Sequence, residues 1–317
     1  MVMQTISGNF AFSRFAAPVI GRLRKKAERM ACSSLVYNWS LGGSIPEGFT
    51  VKPADPWQGD LERGRWLTQG AFSLDGEHLD TRGDYWEPFE VGSVWYEHLH
   101  GFEWLRDLRA LGGDAGRIQA REMVQSWIRR YPRWHEDSWA PHLTGRRIAM
   151  WIALHDFFGA SADEIFQAQF MDSLVRQARH LSRTVNTSPP GLPVLEASKG
   201  LLYAGVALPD FEQWIAQALD IAEDELDRQV LSDGGHASRS PAQLVTALTV
   251  LIDMRCALLA GRHNVPARLQ HAIDKMSPAL RFFRYSDKAL ALFNGAQEGD
   301  AEQLDMLLVH ANARGKA

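Results

Sequence analysis

Trp95-Tyr96-Glu97-His98-Leu99-His100-Gly101-Phe102-Glu103-Trp104-Leu105-Arg106-Asp107-Leu108, running on to Leu111-Gly112-Gly113, is where the chain turns helical. Trp95, Leu99, Phe102, Leu105, Leu108 and Leu111 recur every three or four residues, the spacing of one helix face, and the glycine pair is a strong stop. The same period returns at roughly 115–131, 144–158, 162–185, 195–207, 210–230, 241–260 and 266–284. Only a few residues separate these stretches, and turns that short force antiparallel neighbours. The expectation is a mainly α fold over 95–284, an α/α toroid of antiparallel helix pairs or a helical solenoid. No fixed-period repeat supports a standard solenoid family, so the toroid is preferred.

The flanks differ from this body. Residues 1–34 form a basic arm, with Arg14, Arg22, Arg24, Lys25, Lys26 and Arg29 before or around the first acid, Glu28. The apolar run from Phe15 to Gly21 is short and broken by Pro18, so no export signal is obvious, and no long apolar span predicts stable membrane insertion. Residues 35–94 are rich in Gly, Pro and Trp and show no helical period; they are expected to wrap the helices as an irregular arm, with pieces such as 70–74 free to pair as strands. From 285 the period changes again. Ser286-Asp287, the run Ala289 to Phe293 and Asn294-Gly295 carry hairpin chemistry, so 285–317 is expected to be the start of a β region in a chain that is the front part of something longer.

Composition narrows the function. A net charge of -4 with no basic stripe argues against nucleic acid. Two cysteines, Cys32 and Cys256, supply neither a disulfide framework nor a Cys-based metal site, and His98 and His100 point too far apart on a helix to share an ion. The expectation is no metal and no cofactor. Eleven Trp fill a core or stack on sugars.

The strongest site candidate is Ser232-Asp233-Gly234-Gly235-His236-Ala237-Ser238-Arg239-Ser240-Pro241. Its glycines permit a sharp turn, and Ser240-Pro241 opens a helix whose N-terminus favours an anion. His236 can move a proton near neutral pH, and Arg239 offers a fork to a carboxylate or sulfate. An ordinary interhelical turn with both side chains in solvent fits the same residues. Arg146 and Arg147, with Trp139 and His142 nearby, either line a toroid mouth or stand as surface arginines.

These motifs, taken in order with Arg147-Ile148…Trp151-Ile152 and Lys199-Gly200-Leu201-Leu202-Tyr203-Ala204-Gly205, resemble the heparinase II/III family over about 35–295. The resemblance implies a toroid followed by an antiparallel β-sandwich, and β-elimination on uronate-containing glycans at the cell envelope. It also implies site positions. Gln243 stands where the family has a Tyr, Ser238 where it has an acidic residue, Asn186 lies near an expected Asn, and an expected His would fall beyond Ala317. His236 and Arg239 are the catalytic candidates; Arg146, Arg147, Trp139, His142, Gln243 and Asn186 are the substrate-binding ones. The implied partner is an acidic polysaccharide or oligosaccharide. Two alternatives stay open: a glycan-binding or assembly module without turnover, and a hydrolase using carboxylates among Asp233, Glu97 and Asp84.

Overall fold

The computed structural model describes residues 29–312 except 75, 82–84, 87–88 and 297–299. The basic arm up to residue 28 and the nominated acid Asp84 lie outside the described residues. The element order is α1 (Leu35–Ser40), α2 (Leu61–Thr68), β1 (Ala71–Leu74), β2 (Glu77–Asp80), α3 (Val94–Gly101), α4 (Leu105–Leu111), α5 (Gly113–Arg130), α6 (Pro141–Ala153) and the short α7 (His155–Phe158). It continues with α8 (Glu164–Thr184), a 3-10 turn at Val185–Thr187, α9 (Leu192–Ala207), α10 (Gln213–Gln229), α11 (Pro241–Ala260), α12 (Ala267–Phe282) and α13 (Ala301–Asn312).

The burial pattern sorts these helices into two layers. Helices α5, α8, α10 and α12 bury one apolar stripe each, as the 3.6 period requires, whereas α6, α9 and α11 are buried on nearly every side. In the inner layer α3 packs on α6, α6 on α9 and α9 on α11, while α10 covers α9 and α12 covers α11. The fold is mainly α, an α/α toroid. Helix α11 is long and apolar enough to cross a membrane by length and composition, and here most of it is buried inside the protein.

Three local features depart from the periodic reading or refine it. The stretch 95–111 is two helices, not one, because Phe102 takes a left-handed conformation with φ 65°. Trp104 Nε1 donates to the Leu99 carbonyl at 3.0 Å and offsets the broken helix bonding, while side-chain-free Gly101 leaves room for the Arg146 stem. The arm preceding the toroid does hold helices: Asp60 caps α2 by accepting from the Glu62 and Arg63 amides at 2.7 and 3.0 Å. Its β1 and β2 pair antiparallel, Phe72 opposite Leu79. The arm is pinned to the toroid by ions, Asp55 binding Arg106 and Arg109, and by Trp57, whose Nε1 donates to the buried Asp253 at 2.6 Å. At the other end, the stretch after α12 holds an isolated bridge between Arg284 and Leu290, and α13 folds back on α11 and α12. There Leu290 is buried, whereas Leu292 and Phe293 stay exposed.

Candidate functional site

Where the inner helices α6, α9 and α11 begin, a cleft of about 580 Å³ opens, lined by Glu97, His142, Arg146, Glu196, Gln229, His236, Ser238 and Gln243 among others. Each of these side chains has a local cause. Glu97 lies in the first turn of α3, capped by Ser93. Pro141 at the first position of α6 sets the helix so that His142 and Arg146, four residues apart, share one face. Gly145 and Gly200 let α6 and α9 touch backbone to backbone, since a Cβ on Gly145 would stand 2.3 Å from the Glu196 carbonyl oxygen. That approach brings Arg146 to Glu196.

The loop 231–240 supplies His236 and Ser238. Gly234 has φ 81°, and a Cβ there would meet the Lys275 carbonyl oxygen at 2.1 Å, so the turn against α12 needs glycine. Bonds from Leu231 N to Gly235 O and from Ala237 N to Gln229 O then tuck His236 inward, where it is 3% exposed. Ser240 and Pro241 start α11 as their types predict, although the Ser240 side chain makes no capping bond.

Electrostatically the cleft is closed upon itself. Arg146 reaches Glu196 at 2.8 Å and Glu97 at 3.2 Å, and it also faces Glu103. These carboxylates outweigh burial and hold its pKa above the ordinary arginine value. Burial alone would raise the Glu97 pKa, but the His142 bond at 3.0 Å and the nearby Arg146 charge win and lower it. His236 is shifted down by burial and is therefore neutral at neutral pH.

The bonding pattern sets the His236 tautomer and the orientation of His142. The Ser238 amide donates to His236 Nδ1 at 3.2 Å, so Nδ1 is the bare nitrogen and the proton sits on Nε2. A carboxylate only accepts, so His142 Nε2 carries the proton it gives to Glu97. His236 Nε2 and His142 Nδ1 are both buried without a hydrogen-bond partner. The cleft thus offers a neutral donor at His236 and two carboxylates bridged by Arg146, whose Nε is also buried without a partner.

Of the sequence candidates, the structure brings together His236, Arg146, His142 and Gln243. Arg239 is not among them. Its backbone is left-handed at φ 57°, and its side chain turns to Asp233 at 2.5 Å, with both groups half exposed. Asp233 is thereby placed on the surface as well. Arg147 is wholly buried: its guanidinium lies 4.0 Å over the Trp127 ring and donates to Gln177, the His100 carbonyl and Thr144. Trp139 is 1% exposed and packs edge-on against His180, so its ring has no free face for a sugar. Asn186 lines a separate cavity with Ser188, Asp224 and Arg228. The residue missed from sequence is Glu196, a lone acid in an apolar helix. Among the described residues no His, Cys, Asp and Glu group could hold a metal ion.

Residues 95–312 match the family Heparinase II/III N-terminus. FtsZ-localized protein C of Caulobacter vibrioides is 33% identical over 271 residues, 84% of this chain and 46% of that protein. Heparin-sulfate lyase of Bacteroides thetaiotaomicron is 24% identical over 243 residues, 67% of this chain and 34% of that protein. The chain therefore spans less than half the length of either curated relative. Among solved structures, heparan sulfate lyase from Pedobacter heparinus superposes with TM-score 0.55 at 20% identity, over 75% of this chain and 41% of that one. Heparinase III gives TM-score 0.54 at 19% identity, over 68% and 34%. At such identities the structural likeness speaks for the fold alone.

Proposed function

The chain belongs to the heparinase II/III N-terminus family, and from that premise we propose that it is a polysaccharide-lyase-like protein that holds a hexosamine-containing glycan in this cleft without cleaving it by β-elimination. The observation that carries this reading is the state of Arg146. Elimination at a uronate needs a cation to neutralise the substrate carboxylate and a base to take the ring proton. Arg146 is the cation in the cleft, and Glu196, Glu97 and Glu103 already compensate it. His236 has its proton on the nitrogen left without a partner, so in this state it donates rather than accepts, and Gln243 has no acidic proton to give. Calorimetry against a panel of hexosamine-containing glycans, heparan sulfate among them, tests this. Binding of at least one glycan with no ultraviolet-absorbing unsaturated product supports the proposal; no binding at all, or steady release of that product, overturns it.

The FtsZ-localized relative favours a second reading, in which the chain works as an assembly module beside an FtsZ-type polymer. Co-sedimentation with FtsZ filaments is the direct check. Protein left wholly in the supernatant at saturating filament removes this reading.

A further inference from the structure

A second cavity lies beside the cleft, and one short ridge parts the two. It encloses about 340 Å³, and Asn186, Ser188, Pro190, Ile221, Asp224 and Arg228 line it. Pro190 belongs to both walls, and Gly191, next to it, lines the cleft. Two devices hold the ridge. Pro189 and Pro190 each lock their φ, while Gly191 stands at φ 98°, a conformation that suits glycine. Glu225, in the wall of the second cavity, accepts from the Gly191 amide at 2.6 Å and from Gln229 Nε2 at 2.6 Å, and Gln229 lines the cleft. A rim so held loses little freedom when a ligand settles on it.

Charge in the second cavity is nearly spent. Glu225 is 1% exposed and is saturated by those two bonds and by Arg228 Nη1 at 2.7 Å. There remains Asp224, an exposed carboxylate with no ion pair among the described residues. Asn186 adds an amide that both donates and accepts, and Ser188, 8% exposed, has a hydroxyl without a partner. Donors and acceptors are thus mixed on one small wall, which suits sugar hydroxyls, since each of them both gives and takes a bond. Pro190, Val194 and Ile221 supply apolar surface for the C–H face of a ring. A sulfate or a carboxylate would meet two carboxylates and one half-committed guanidinium, so an uncharged unit fits better. Resting on the glycan-binding reading above, we propose that this cavity is a second sugar subsite. A glycan held in the cleft runs over Pro190, and an uncharged hexosamine unit further along it seats here, hydrogen-bonded to Asn186 and Asp224.

The test is calorimetry of the full chain with the disaccharide and the octasaccharide of N-acetylheparosan, an unsulfated alternation of N-acetylglucosamine and glucuronate. The octasaccharide reaches both cavities and is expected to bind at least about tenfold more tightly than the disaccharide. Asn186→Ala and Asp224→Ala should each take about threefold to tenfold from the octasaccharide, one hydrogen bond apiece, and leave the disaccharide as it was. Both positions are exposed, so the variants keep the fold. An octasaccharide no tighter than the disaccharide, or a gain that both variants leave intact, overturns the subsite and leaves the cleft reading standing. Weakening of the disaccharide by either variant overturns it as well, since the first unit would then sit in this cavity and not in the cleft. Binding of neither length defeats the subsite, and the glycan panel above decides the reading on which it rests.

Discussion

Gly200 lies so close to Gly145 that a Cβ on it would stand 2.2 Å from the Gly145 Cα, nearer than two carbon atoms can approach without bonding. This contact sets the spacing of α6 and α9, and through it the Arg146 to Glu196 ion pair one turn away. Gly200→Ala therefore has no small local remedy, because the obstacle is backbone. It is expected to cost about 1–3 kcal/mol, the range for overpacking a filled core, despite alanine's better helix propensity. Urea unfolding of the two proteins measures it; an unchanged midpoint would show that the helices are farther apart than described here.

Arg147 is adjacent to a cleft residue but belongs to the core. Its planar guanidinium stacks on Trp127 and serves three acceptors, a set that a lysine ammonium cannot reproduce. Arg147→Lys should lower stability by about 2 kcal/mol, the loss of cation–π stacking and of buried hydrogen bonds. Ligand affinity of the folded protein should stay as it was. Lost affinity at unchanged stability would place Arg147 in the site instead.

The pH dependence follows from buried groups. Burial pushes the His100 pKa down to about 3 and that of His180 to about 4. Both folded values lie below the unfolded one near 6.5, so their stabilising contribution is present above it and is lost as pH falls toward 4. Asp107 runs the other way. Burial raises its pKa to about 6, so its contribution is present below its unfolded pKa and lost as pH rises through 6. Two histidines outweigh one carboxyl, and net stability should fall between pH 7 and pH 4. Denaturation midpoints at both ends check the sign. His180→Gln should flatten the curve by about 3 kcal/mol over that interval.

The helical body could be read from sequence because a half-buried helix repeats its apolar residues, and 115–131, 162–185 and 210–230 all do so. The break at Phe102 could not be. A left-handed Phe is costly by itself, and only the Trp104 bond to Leu99 and the room at Gly101 make it tolerable. Arg146 and Arg147 look alike in the sequence, yet successive residues on a helix point about 100° apart, and only the position of α9 decides which one meets the cleft. Glu196 gave too little signal alone; a single acid among Val194, Leu195 and Ala197 acquires a role only once Arg146 stands opposite. For Arg239 the competitor, Asp233, stands in the same stretch, but only the fold of the Gly234-Gly235 turn brings the two side chains together.

Restoring the residue that the family resemblance implies gives the sharpest chemical check. Gln243→Tyr would put a phenol at the exposed cleft position, supplying a group able to exchange a proton. It would not supply a cation for the substrate carboxylate, since Arg146 remains bound to Glu196 and Glu97. Without that neutralisation the ring proton is too weakly acidic for a phenol or an imidazole to remove, and His236 still presents a donor unless the Ser238 amide gives up its acceptor. The variant should therefore bind glycan and release no unsaturated uronate from heparan sulfate. Pairing it with Glu196→Gln frees part of the Arg146 charge, and a trace of absorbing product from the double variant alone would identify charge compensation as the missing element. Product from Gln243→Tyr by itself would show instead that the carboxylate pair does not block elimination, and the proposal that this cleft holds glycans without cleaving them would fall with it.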